Sequence, residues 1–143
     1  MTLYLDTSAL VKIYLDEKGA PVVRDAVERS KLVATSSIAH AEARAAFARR
    51  RREDVLPLEG YKAVRRRFSD EWGSYLHLDV TDSIIAVAGD IAERHHLRAY
   101  DAIHLTTAIV LKERLSAPVV FASWDSALDR AARRAGLELL PRQ

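Results

Sequence analysis

The chain contains no cysteine, which excludes disulfide bridges, thiolate metal sites and a cysteine nucleophile together. Any metal must therefore be held by oxygen or imidazole. No apolar run approaches the roughly 20 residues that span a bilayer, and the N-terminus shows no basic segment followed by an apolar core and a small-residue cleavage site. No membrane association is expected, and the cytoplasm is the expected compartment. Internal repeats, low-complexity segments and long Gly/Ser linkers are also missing. The 143 residues thus read as a single domain over 1–143, long enough to bury a substantial core.

What is present is a globular composition, with 49% hydrophobic and 29% charged residues of both signs, and not that of a disordered chain. The net charge of +2 says little, but arginine is clustered, as "RRRR" at 49–52 and "RRR" at 65–67. Such runs are either solvated helix faces or phosphate-binding patches.

Short, nearly continuous apolar runs, "TLYL" (2–5) and "APVVFA" (117–122), have the pattern of strands covered on both faces in a parallel sheet. "KLVAT" (31–35), "YLHLDV" (75–80) and "LELL" (137–140) are weaker examples and bring the expected count to five strands. Helical patterns fill the intervals at 20–30, 37–52, 57–74, 82–95, 101–114 and 125–135. In the second, Ile38, Ala41, Ala45 and Ala46 form the expected buried stripe; in the third, Tyr61, Val64, Phe68 and Trp72 do so. Strands separated by helices require crossover connections, so the expected class is α/β, with helices on both faces of a central, mainly parallel sheet.

In an open parallel sheet, ligands bind beyond the carboxyl ends of the strands. Asp6 follows the first strand at that edge, with Thr7 and Ser8 directly after it, and Asp125 follows "VVFA" through Ser123 and Trp124. Each aspartate is also a good N-cap for the helix that begins there. Asp101 opens "DAIHLTTAIVL", where it too reads as an N-cap, with His104 on the same face. Glu42 falls on the apolar side of its helix, and a buried carboxylate requires either an arginine partner or a cation. Four acids without cysteine or a paired-histidine motif suit a hard, oxygen-seeking cation, Mg²⁺ or Mn²⁺, and hence phosphoryl-transfer chemistry.

Taken in order, "DTSAL", "SSIAHAEARAAF", "AYDAIHLTTAI" and "FASWDSAL" resemble the PIN-domain family, and within it the VapC-type toxins of type II toxin–antitoxin systems. The resemblance covers essentially the whole chain. It implies a three-layer α/β/α sandwich around a five-stranded sheet and an endoribonuclease acting on single-stranded RNA with Mg²⁺ or Mn²⁺. Asp6, Glu42, Asp101 and Asp125 match the family's catalytic and metal-binding acids; Asp6 and Asp101 match its principal metal ligands, and Thr7, Ser8 and Ser123 match its site-orienting hydroxyls. It also implies a homodimer restrained by a cognate antitoxin protein, in a heterotetramer or larger assembly, with the Tyr61 to Trp72 stripe as a candidate part of the antitoxin groove or simply core. The alternatives are a PIN nuclease of RNA processing without an antitoxin, and a non-catalytic Mg²⁺-binding receiver-like or nucleic-acid-binding module. The receiver reading lacks the adjacent acid pair at the first strand and a late lysine.

Overall fold

The computed structural model describes residues 1–142. Its strands are β1 (Thr2–Leu5), β2 (Leu32–Ser36), β3 (Leu76–Leu78), β4 (Val120–Ala122) and β5 (Glu138–Leu139). They form one sheet in the order β3-β2-β1-β4-β5, with every pairing parallel. The helices are α1 (Thr7–Leu10), α2 (Ala20–Glu28), α3 (Ala39–Arg52), α4 (Leu58–Glu71), α5 (Asp82–His95), α6 (Ala99–Leu115) and α7 (Ser126–Arg134).

Side chains alternate across a strand, so β1 divides the interior in two. Leu3 and Leu5 join Leu10, Val23, Phe47 and Phe68 in one core beneath α1 to α4. Tyr4 faces the other way and joins Leu105, Phe121 and Leu128 beneath α5 to α7. The three layers implied by the family resemblance are therefore present. Strand order 3-2-1-4-5 also differs from the 2-1-3-4-5 order of receiver-type sheets.

The chain builds outward from β1 to β2 and β3, then returns to lay β4 on the other side of β1. This reversal places a crevice between the carboxyl ends of β1 and β4, the general location of ligand sites in such sheets. Backbone pairing carries on past the strands, since the Asp6 amide donates to the Ala122 carbonyl at 3.1 Å.

The expected α3 stripe is corrected. Ala39, Ala43 and Phe47 are fully buried, whereas Ala41 and Ala45 are exposed. Alanine fits a core or a surface almost equally well, so the one bulky residue, Phe47, sets the rotation of the helix. On α4, Phe68 is fully buried, whereas Tyr61, Val64 and, just past the end of the helix, Trp72 are partly buried and pack against the same core.

Candidate active site

Asp6 is the N-cap of α1 and the single residue between the end of β1 and the start of that helix. Its Oδ1 accepts from the Ala9 amide at 3.0 Å and from the Ser8 hydroxyl at 2.7 Å. Only 3% of Asp6 is exposed, and no lysine or arginine forms an ion pair with it among the described residues. Burial pushes its pKa above the ordinary carboxyl value, against the opposing pull of His104 and of hydrogen bonds from Ser8, Ser123 and Ala9. Ser8 also reaches across to the neighbouring strand. Its Oγ accepts from the Trp124 amide at 2.9 Å, which ties the end of β1 to the turn after β4.

That turn carries Asp125, the N-cap of α7, whose Oδ1 accepts from the Leu128 amide at 2.9 Å. Ser123, 3% exposed, receives the Asp125 amide on its Oγ at 3.0 Å. Gly19 makes room for this turn. Its φ of +91° is a left-handed conformation, and a Cβ there would lie 2.5 Å from the Trp124 ring.

Glu42 does not point into the core as its helical position suggested. It is half-buried at the rim, and its Oε1 is reached by the Thr7 hydroxyl at 2.6 Å and by His104 Nε2 at 2.8 Å. His104 is held from behind by the Tyr4 hydroxyl, 2.8 Å from Nδ1. A carboxylate only accepts, so Nε2 bears the proton shared with Glu42, and in neutral imidazole Nδ1 accepts from Tyr4. Burial works against the charge of Glu42, but the His104 and Thr7 hydrogen bonds and the Arg98 charge outweigh it and lower its pKa.

Asp101 lies in the first turn of α6 and not at its cap, which is Arg98. Arg98 Nε donates to Asp101 Oδ2 at 3.2 Å, and its Nη2 lies 3.6 Å from Asp125 Oδ2. All four predicted acids, with Thr7, Ser8, Arg98 and His104, line one cavity of about 270 Å³. Neither arginine cluster lines it; Arg49, Arg50 and Arg67 are instead paired with Glu53, Glu17 and Glu71.

The chain matches the PIN domain model over residues 3–134. It belongs to the PIN-domain family. Similar proteins are Ribonuclease VapC45 of Mycobacterium tuberculosis (strain CDC 1551 / Oshkosh) and Ribonuclease VapC49 of Mycobacterium tuberculosis (strain ATCC 25618 / H37Rv). Each is 30% identical over 141 residues, covering 99% of this chain and 96% of the relative.

The donors of this PIN domain are carboxylates and hydroxyls, the chemistry of Mg²⁺ or Mn²⁺. The ionised form of buried Asp6, which has no ion-pair partner among the described residues, also fits an added cation. Among the described residues, no three His, Asp or Glu groups are placed to hold a metal ion. Glu42 is engaged by Thr7 and His104, and Asp101 and Asp125 by Arg98. Arg98, which lines the cavity, carried no signal in the sequence beyond lying three residues before Asp101. Asp129, one turn after Asp125, lies outside the cavity lining and is paired with Arg142; burial raises its pKa, and Asp6 and Asp125 add to the rise.

Proposed function

We propose that this PIN domain, over 1–143, is a cytoplasmic endoribonuclease and the toxin of a toxin–antitoxin pair, hydrolysing RNA phosphodiester bonds with Mg²⁺ or Mn²⁺. The observation that carries the reading is the convergence of Asp6, Glu42, Asp101 and Asp125 on one cavity at the β1–β4 crevice. Full-length similarity to proteins named ribonucleases supports the substrate class.

Asp6 and Asp101 would be the principal metal ligands, with Glu42 and Asp125 completing the set directly or through water. Bound there, the cation would lower the pKa of a water and neutralise charge on the leaving oxygen. The chain's own groups orient the donors. Ser8 and the Ala9 amide fix the orientation of the Asp6 carboxylate through Oδ1. Thr7 and His104 both engage Oε1 of Glu42 and hold it ionised. Ser123 supports Asp6 and Asp125 from the β4 side. The relatives' VapC names support a cognate antitoxin as partner; that the unit it restrains is a homodimer is part of the proposal.

The test is cleavage of single-stranded RNA by the purified protein with Mg²⁺ or Mn²⁺, with EDTA, and with Asp6→Asn or Asp101→Asn. Cleavage that persists through chelation and both substitutions would refute the metal-dependent reading. Growth arrest on expression, relieved by the same substitutions and by a co-expressed product of the adjacent reading frame, tests the toxin role. Activity without arrest would favour an RNA-processing nuclease.

A further inference from the structure

The acidic cavity carries a cation of its own. Arg98 spans two carboxylates from different helices, Asp101 at 3.2 Å and Asp125 at 3.6 Å. The acids are set into the wall, at 19% and 34% side-chain exposure, while the Arg98 side chain is 81% exposed and lies across them from the solvent side. Its place in α6 does not explain this pose. Arg98 holds the N-cap position and makes no side-chain cap bond, and a positive charge at a helix N-terminus opposes the helix dipole. The two carboxylates do explain it, because they would otherwise face each other uncompensated in a cavity that also holds Asp6 and Glu42.

We infer that Arg98 is an internal counter-ion which lies across Asp101 and Asp125 and must swing aside before a divalent ion can bind. The inference rests on the metal-dependent reading of this site. It also rests on geometry: two of the four acids that line the cavity are paired with one exposed guanidinium. Displacement is physically easy. Solvent-exposed ion pairs are weak, and a long exposed arginine regains rotamer freedom on release. The role is that of a positioning residue which sets the ion concentration at which the site fills. A residue that instead pre-arranged Asp101 and Asp125 for the ion would have the opposite effect when removed.

The discriminating measurement is calorimetric titration of Mn²⁺ into the RNA-free protein, as wild type, Arg98→Ala and Arg98→Lys, with thermal unfolding in EDTA to verify the fold. Competition predicts that Arg98→Ala binds Mn²⁺ about three- to tenfold more tightly, the scale of one or two exposed ion pairs. Arg98→Lys, which keeps the charge but loses the planar fork that spans two carboxylates, should fall between, and it serves the same purpose if the alanine variant is poorly folded. Unchanged or weaker Mn²⁺ binding in Arg98→Ala overturns the inference and leaves the metal-dependent reading intact. An absence of Mn²⁺ binding in all three proteins overturns both.

Discussion

The Glu42 carboxylate and the His104 imidazole, 62 residues apart in sequence, meet at 2.8 Å. Behind them Tyr4, fully buried in the sheet, anchors the other imidazole nitrogen. A rim carboxylate is thereby fastened through two side chains to the centre of the fold.

Replacing His104 by alanine leaves the Tyr4 hydroxyl and one side of Glu42 without their partner inside the fold. The expected loss is about 2–4 kcal/mol, combining unsatisfied polar groups with a small cavity. Urea denaturation measures it. Glu42→Gln should cost less, since an amide oxygen can still accept from both Thr7 and His104.

Thr7→Ala removes a 2.6 Å hydrogen bond to Glu42 and should destabilise by about 1 kcal/mol. Thr7→Ser retains the hydroxyl and should restore most of the loss. RNA cleavage by the two variants should rank in the same order, with alanine lower.

Asp6→Asn should stabilise the metal-free protein at neutral pH, because the amide can keep the Ala9 cap without the cost of a buried charge. The sign follows from the raised pKa. The penalty of ionised Asp6 is present above its folded pKa and is relieved as pH falls through that value towards the ordinary 3.8. Glu42 behaves oppositely: its lowered pKa contributes stability above 4.5 that is lost as pH falls through the folded value. The stability gap between Asp6→Asn and wild type should therefore narrow on acidification above 3.8. Thermal melts in EDTA across that range check it, and a gap that widens would contradict the burial account.

Added Mn²⁺ should raise the melting temperature of the wild type, since a ligand bound only to the native state stabilises it by mass action. The shift should vanish in Asp6→Asn and Asp101→Asn and be reversed by EDTA. Differential scanning fluorimetry over a Mn²⁺ series provides the reading.

Gly19→Ala forces a Cβ to within 2.5 Å of the Trp124 ring and places alanine at φ +91°. A loss of about 1–3 kcal/mol is expected from the backbone strain alone, more if the Trp124 turn shifts. Because that turn carries Ser123 and Asp125, activity should fall along with stability.

The local features of this protein were determined by its sequence. Strands such as Thr2–Leu5 are apolar because both faces are covered, and Asp6 and Asp125 cap the helices that follow them through hydrogen bonds spanning three residues. The placement of both at the carboxyl edge of one parallel sheet followed from the alternation of strands and helices. The ordered acidic motifs carried the family resemblance. Tertiary structure alone decided the rest. The rotation of α3 depended on where Phe47 found its pocket, since alanines on either face carry almost no preference. With that rotation settled, Glu42 met Thr7 and His104, partners 35 and 62 residues distant, in place of an arginine or the core. Arg98 lies across Asp101 and Asp125 because two helix starts converge beyond the β1–β4 crevice. Caps and alternation act over a few residues and are written in the chain, whereas side-chain pairing across the fold exists only once packing has fixed which surfaces meet.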